Sequence, residues 1–192
     1  MMKIYTAQIS NECQSILPAA GTPIATEILF NHKSLLSDWQ RFKYDFRHID
    51  DVKAKPNVSL IGGALCVRAD LKDKIFPSQT NGLEFLPIRV SEEDWYLVNC
   101  LNETDRYDTE ESILYSGPDK QIFMILHLVI TDPGLQDGEI FVLKQSNRTT
   151  LFLFPSIVDR FLKLKLKGVN FKEIGYLRDS DDSLQTPKKE NV

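Results

Sequence analysis

Histidine and cysteine are the side chains best able to bind a metal or attack a substrate, and this chain has three of each. The cysteines are Cys13, Cys66 and Cys100, and the histidines are His32, His48 and His127. Their wide and irregular spacing fits neither a disulfide framework nor a zinc site. His127 lies inside an apolar segment, where a structural histidine is the simpler interpretation. We therefore expect no metal and no cofactor, and three unpaired thiols favour a reducing compartment.

The local signatures of catalysis are also missing from the sequence. It contains no G-x-S-x-G elbow, no H-E-x-x-H helix, no Walker loop and no G-x-G-x-x-G. The pair Gly62-Gly63 is too weak a feature to indicate a phosphate cradle. A Ser/His or Cys/His pair could still assemble in space, because separation in sequence does not forbid it. Nothing selects such a pair, so the expectation is that the protein is not an enzyme.

Charge gives the sharpest polar pattern. Residues 91–111 hold eight carboxylates and a single base, Arg106, in a chain whose net charge is −4. The carboxylates are Glu92, Glu93, Asp94, Glu103, Asp105, Asp108, Glu110 and Glu111. Residues 160–172 show the opposite pattern, with five positive charges and no negative ones. Such asymmetry steers the encounter with a partner, so the eight carboxylates are candidate partner-binding residues.

Two other interpretations of the carboxylates stay open. They could be solvated residues that only keep the protein soluble. A metal-dependent nuclease also uses clustered carboxylates. It would need them on rigid, convergent elements, however, and five of the eight fall in an apparent loop.

Length and overall composition limit the function classes. A chain of 192 residues with 42% hydrophobic residues is enough for one domain with a sizeable core, which we place at 1–177. Residues 178–192 are polar and aperiodic, which is typical of a flexible tail. The net charge of −4 argues against a nucleic-acid partner. No signal peptide is recognisable and the longest apolar run is too short to span a bilayer, so we expect a cytoplasmic protein without membrane contact.

Apolar periodicity predicts the elements that carry these residues. Strands are expected at 3–9, 95–101, 121–130 and 139–143, and a bent strand at 58–67 around Gly62-Gly63. Short turns between neighbouring strands favour antiparallel pairing. Residues 26–49 predict an amphipathic helix, because Leu35, Leu36, Trp39, Phe42 and Phe46 recur at helical intervals. The expected fold class is α+β, a mainly antiparallel sheet with short helices.

An internal repeat relates residues 64–88 to residues 150–174 at a constant offset of 86. Each copy predicts a short strand, a short helix, a glycine turn with positive φ and a closing strand. The helices would bury Leu71 with Ile75, and Ile157 with Phe161; the turn glycines are Gly82 and Gly168. The fold would thus contain two related strand–helix–glycine turn–strand units. The alternative is a chance match between two amphipathic segments.

The segment DWYLVNCLNETDRYDTEES at 94–112 resembles the strand-and-acidic-loop motif of a bacterial polymorphic-toxin immunity family, immunity family eleven, or a close relative of it. LFLFPSIVDRF at 151–161 and the later Gly168-Val169-x-Phe171 are similar to features that follow in that family. The resemblance extends over residues 59–174. It implies a protein that binds and neutralises a cognate toxin, and it supplies no catalytic residues.

The resemblance gives the charge pattern a functional meaning. A toxin that acts on nucleic acid would be basic, and the acidic segment would then mimic its polyanionic substrate. One alternative is a small-ligand-binding protein or a hydrolytic enzyme with a pocket between the two repeat units. Another is a general interaction module that has no toxin partner.

Overall fold

The computed structural model of the chain describes residues 1–23, 33–47, 53–77, 82–135, 139–146 and 150–179. These residues form two β-sheets and a few short helices, which confirms the predicted α+β class. His32, His48 and all but the first two residues of the predicted tail lie outside the described residues. No helix in the described ranges is long and apolar enough to cross a membrane.

The first sheet has six strands. They are β2 (Ile16–Pro18), β3 (Lys43–Phe46), β4 (Val58–Ile61), β5 (Ala64–Arg68), β6 (Leu83–Val90) and β7 (Glu93–Cys100), in the order β2-β3-β6-β7-β5-β4. The bent strand predicted at 58–67 is two strands, β4 and β5, joined by a tight turn. Its central residues, Gly62 and Gly63, have φ of 57° and 88°. Two consecutive positive φ values are what a two-residue hairpin turn of type I′ requires, and glycine supplies them without strain.

The second sheet has seven strands. They are β1 (Met2–Ile9), β8 (Glu103–Thr104), β9 (Ile113–Ser116), β10 (Ile122–Ile130), β11 (Ile140–Leu143), β12 (Phe152–Leu153) and β13 (Val169–Leu177). Their order is β8-β11-β12-β1-β13-β10-β9. Over both sheets, eight of the eleven pairings between these named strands are antiparallel, as predicted. The parallel pairs are β3–β6, β10–β13 and β8–β11.

Both predicted repeat units are present. In the first, β5 leads into a 3-10 turn (Ala69–Leu71) and the helix α1 (Lys72–Ile75); in the second, β12 leads into α2 (Pro155–Lys163). The turn glycines Gly82 and Gly168 have φ of 77° and 119°, and each precedes a closing strand, β6 or β13. The helical side chains predicted to be buried are all buried.

The correspondence between the two sheets extends beyond these units. Without β8, the seven-stranded sheet reads β9-β10-β13-β1-β12-β11, which matches β2-β3-β6-β7-β5-β4 position by position and in pairing direction. The place of β7 is taken by β1: Tyr5 pairs with Leu153 as Tyr96 pairs with Val67, and the 86-residue offset aligns those two partners. The two halves of the chain, β1–β6 and β7–β13, therefore exchange their first strands.

Three apolar clusters hold this arrangement together. The central core lies between the sheets and includes both helices, with Val67 and Val98 from one sheet and Val142 and Leu153 from the other. Each sheet also curls around a core of its own. In the seven-stranded sheet the curl is closed where the backbone N–H of Ile122 donates to the Gln145 carbonyl, 2.7 Å away.

The prediction of a helix within 26–49 is wrong for the residues of that range that the structure describes. Residues 33–42 are irregular and are followed by β3. Leu35, Trp39 and Phe42 are indeed partly buried, but they reach the core of the six-stranded sheet from an irregular segment. Tyr44 and Phe46 alternate with exposed residues, which is the period of a strand. The helix-like spacing of these apolar residues thus combines an irregular segment, 33–42, with the strand β3.

Gly168→Ala tests the contact between the two sheets where Gly168, before β13, lies against Val58 of β4. A Cβ there would lie 1.8 Å from the Val58 carbonyl oxygen at a φ of 119°, so both the clash and the backbone conformation oppose alanine. We expect a loss of about 1–3 kcal/mol or more in the free energy of unfolding, measured by urea titration. Gly21→Ala is the control, because Gly21 also has a positive φ but no atom within 4 Å of the added Cβ. Equal losses in both variants would show that this contact has room for a side chain.

Candidate functional site

The eight candidate carboxylates do not form one surface. Glu92, Glu93 and Asp94 lie at the β6–β7 turn, and the other five lie beyond the far end of β7, in the acidic loop (residues 103–111). The eight residues of β7 separate the groups by about 25 Å at about 3.3 Å per residue. The acidic segment of the sequence is therefore two separate sites.

The carboxylates at the β6–β7 turn are paired with bases: Arg89 of β6, Arg41 before β3, and Lys55, which lies 4.0 Å from Glu93. Asp94 accepts a hydrogen bond from Arg89 at 2.6 Å and pairs with Arg41 as well. The Arg89 hydrogen bond lowers the pKa of Asp94 below its usual value. Glu92 lies 3.2 Å from Arg89. This group thus offers a partner little uncompensated charge.

Two carboxylates of the acidic loop hold the loop in place. Asp108 accepts hydrogen bonds from the backbone N–H groups of Glu110 and Glu111 at 2.8 and 2.9 Å. Arg178 also binds Asp108, at 3.0 Å, and the pKa of Asp108 is lowered by the two backbone donors first and then by Arg178. The Glu111 carboxylate forms a salt bridge with Arg178 at 2.8 Å and accepts a hydrogen bond from the Tyr176 hydroxyl at 2.7 Å. Asp108 and Glu111 thus position the loop against the end of β13.

Asp105 and Glu110 are the loop carboxylates available to a partner. Both are exposed, and neither side chain has a hydrogen-bond or ion-pair partner among the described residues. Asp105 lines a shallow polar cavity of about 270 Å³, in which Arg106 and Lys144 lie among the carboxylates. The described residues contain no group of histidine, cysteine, aspartate and glutamate side chains that could hold a metal ion.

An exposed apolar surface lies directly after the acidic loop, on the hairpin of β9 and β10. We call it the bulged hairpin face; it consists of Ile113, Tyr115, Phe123, Met124 and Leu126. Ten large hydrophobic side chains are exposed in the described residues, and these five belong to one hairpin. A cluster of this kind on a sheet edge is a recognised sign of a binding surface.

Two β-bulges produce this face. The β9–β10 register shifts between Ile122 and Met124 and again between Ile125 and His127, so Phe123 and Leu126 are the extra residues. A bulge places two residues opposite one and redirects a side chain. Here the extra residues are 67% and 50% exposed, while Ile122 is buried. The bulges therefore turn Phe123 and Leu126 outward on a strand whose Ile122, Leu128 and Ile130 lie in the core.

Sequence reasoning missed the bulged hairpin face. The strand at 121–130 was predicted, but β9 was not, and a nearly continuous apolar run is typical of a strand buried on both faces. The one available signal was the turn Ser116-Gly117-Pro118, which ends β9 and makes β10 part of a hairpin at the sheet edge.

The acidic loop adjoins the bulged hairpin face at Glu111. Glu111 is hydrogen-bonded to Tyr176, and the Tyr176 ring contacts the ring of His127 with 5.9 Å between centroids. His127 is half-buried and follows Leu126 in β10, so it links the acidic and apolar parts. The surface is an apolar centre with a negative border.

The cysteines do not add chemistry to this surface. All three are buried free thiols. Burial raises the pKa of the Cys66 thiol, and it raises the pKa of Cys100 to about 12. The thiolate is the nucleophilic form, and burial favours the protonated thiol at Cys66 and Cys100.

No protein-family model matches the chain, and no curated protein matches it.

Asp108→Ala is expected to loosen the acidic loop. The amides of Glu110 and Glu111 lose their acceptor, so their hydrogen exchange should become several-fold faster. Asp105→Ala is the control and should leave these amides unchanged. Because the pKa of Asp108 is lowered in the folded protein, its charged form stabilises the loop. Protection should therefore hold above about pH 4 and be lost as the pH falls through the lowered pKa, a dependence that Asp108→Ala should lack.

Proposed function

We propose that the chain is an immunity protein that binds and neutralises a cognate bacterial toxin through protein–protein contact. The observation that carries this proposal is the bulged hairpin face with its acidic border. An exposed apolar cluster is costly for a protein that stays alone in solution, and its burial by a partner would remove that cost. The resemblance to a toxin-immunity family supplies the kind of partner.

The surface has the layout of a protein interface. The centre of an interface is apolar and rich in aromatic and methionine side chains, with a polar rim around it. Tyr115, Phe123 and Met124 fit such a centre, and Asp105 and Glu110 fit the rim. A stable interface needs more than about 1,000 Å² of buried surface, so the acidic loop and the hairpin would act together.

The charge of the rim indicates the charge of the toxin. Asp105 and Glu110 are unpaired among the described residues, so a basic surface would complement them and approach faster. A toxin that binds nucleic acid carries such a surface. The toxin would act in the cytoplasm, where its inhibitor would meet it.

The alternative of a pocket between the two repeat units finds less support. The central core fills the space between the sheets. A cavity beside it, lined by Leu60 and Leu65 of one sheet and Leu151 and Leu153 of the other, has a volume of about 90 Å³. Pockets for small-molecule ligands have volumes of about 300–1,000 Å³. The cavity is thus smaller than the usual pocket for a small-molecule ligand.

The partnership can be tested by co-expression of the chain with the product of the gene directly upstream. We expect recovery of a tight stoichiometric complex on pull-down, together with relief of the growth arrest that the upstream product causes alone. Growth arrest that persists in the presence of the folded chain, with no complex recovered, would reject that product as the cognate toxin.

Phe123→Ala tests the bulged hairpin face within that complex. Truncation of a central aromatic in an interface costs more than about 1 kcal/mol, so we expect Kd to rise by about tenfold, measured by calorimetry. Leu162→Ala is the matched control, because Leu162 on α2 is 63% exposed and Phe123 is 67% exposed. A Kd raised equally by both changes, or by neither, would remove this face from the interface.

Charge reversal tests the acidic loop separately from the apolar centre. Asp105→Lys combined with Glu110→Lys should lower the association rate at low salt by about tenfold, and the difference should shrink as salt is added. Glu92→Lys, at the β6–β7 turn, is the control and should have little effect. Stopped-flow mixing with the purified toxin measures both. An association rate that ignores these loop charges would contradict the proposed acidic rim.

A further inference from the structure

The seven-stranded sheet has a gap between β10 and β13, which we call the slot. The two strands pair only where Leu128–Ile130 meets Gly175–Leu177. They touch closely at this point, because a Cβ on Gly175 would lie 1.8 Å from the Leu128 carbonyl oxygen. Before it, β10 turns away toward the residues after β11, and Ile122 forms a bridge with Ser146. Over 169–174, β13 thus pairs with β1 on one side and with no described strand on the other.

The slot opens into a cavity of about 260 Å³. Its apolar lining includes Phe152 and Ile174, which belong to the core of this sheet. Gln8 and Lys172, both exposed, lie at its polar end. Lys172 is the charged residue among the described residues that line the cavity. Phe123 and Met124 line it as well, so the cavity adjoins the bulged hairpin face.

The same place in the six-stranded sheet is covered by the chain itself. Residues 33–42, which we call the cover segment, lie along the matching edge of β6. The Trp39 indole donates to the Pro87 carbonyl at 2.8 Å, and the Phe42 carbonyl accepts from the Arg89 N–H at 2.9 Å. Further along, the Leu35 N–H donates to the Glu84 carboxylate at 2.9 Å. Side chains of the cover segment pack on the core of that sheet.

Burial at equivalent positions shows what the cover segment does. The 86-residue offset aligns Leu86 with Lys172, and the shared register of β7 and β1 aligns Asn99 with Gln8. Leu86 and Asn99 are 0% and 4% exposed. Lys172 and Gln8 are exposed. The position that one half of the chain covers with its own residues is therefore open to solvent in the other half.

We propose that this slot receives an extended segment of the bound protein, with a large apolar side chain of the indole type in the cavity and a carboxylate beside Lys172. This rests on the proposed function, since it concerns the same partner. A volume of about 260 Å³ lies below the usual range for small-molecule pockets and suits one large side chain. The edge of β13 over 169–174, which pairs with no described strand, offers backbone hydrogen bonds to an extended chain. In the six-stranded sheet, Trp39 of the cover segment lies at the matching place, with its indole bonded to Pro87 of β6.

A small probe tests the slot without the toxin. N-acetyltryptophan carries an indole and a carboxylate, and N-acetyltryptophanamide carries the indole without the charge. With the full chain, we expect both to shift the methyl NMR signals of Ile122, Ile125 and Ile174, with dissociation constants on the order of millimolar. N-acetyltryptophan should bind several-fold tighter, and Lys172→Ala should remove that preference. Unshifted methyl signals, or equal affinity of the native chain for both probes, would overturn the proposal.

The role of the slot in the complex is tested by filling it. Gln8→Trp adds an indole at the exposed end of the cavity, where it can cover the slot as Trp39 covers the other sheet. We expect the affinity for the toxin to fall by about tenfold or more, as for loss of a central contact. Lys163→Trp, on the exposed surface of α2, is the matched control and should bind normally. Lys172→Glu tests the proposed partner carboxylate in the same assay and should weaken binding, and Lys163→Glu is its control.

The outcomes separate the two proposals. If the native chain forms no complex with the toxin, the proposed function fails, whereas the probe experiment still reports on the slot. If the complex forms and Gln8→Trp and Lys172→Glu both bind like the native chain, the slot is not part of the interface and this inference fails. Urea unfolding of each variant establishes that it is folded before binding is measured.

Discussion

The structure depends on the exchange of first strands between the two halves of the chain. β1 lies in the sheet of the second half, between β12 and β13, and β7 takes the same place in the sheet of the first half. The exchange is fixed by matching hydrogen bonds: the Ser10 N–H donates to the Gly168 carbonyl, and the Leu101 N–H donates to the Gly82 carbonyl. Each sheet is complete only with a strand from the other half, so neither can form its full core alone. The central core, which contains residues of both sheets, also requires both halves of the chain.

This exchange also determines where the acidic loop lies. β7 ends in the six-stranded sheet and β9 begins at the edge of the seven-stranded sheet, so the chain must cross from one to the other between them. Residues 101–112 make that crossing and pair with β11 on the way, through β8. Asp108 and Glu111 then fasten the crossing to Arg178 beyond β13. The connection therefore delivers Glu110 next to the start of β9, while Asp105 lies at the far end of β10, beside Asp132 and Lys144.

Much of the fold follows from the sequence, but the site follows only in part. The repeat predicted both strand–helix–glycine turn–strand units, because glycines with positive φ and i, i+4 apolar pairs are local requirements. The strand exchange was not predictable, since the segments around Tyr5 and Tyr96 share little beyond the tyrosine and the match appears only in their register. Counting charges along the chain predicted one acidic surface, whereas an extended β7 divides it. The bulges that expose Phe123 and Leu126 depend on pairing with β9, which leaves no periodic signal in β10 itself.

The two halves share a topology, and the connection between their two outer strands differs in length, which affects what each half leaves exposed. β2 and β3 are joined by residues 19–42, long enough for the cover segment to lie along β6 and bury Leu86 and Asn99. β9 and β10, their counterparts, are joined by residues 117–121, which suffice for a tight turn and no more. A short turn keeps β9 and β10 together as a hairpin, and no described segment lies along the edge of β13 over 169–174. The short connection thus leaves the slot without a counterpart of the cover segment among the described residues, and the two bulges expose the apolar side chains beside it. Both features belong to the seven-stranded sheet, away from the carboxylates at the β6–β7 turn.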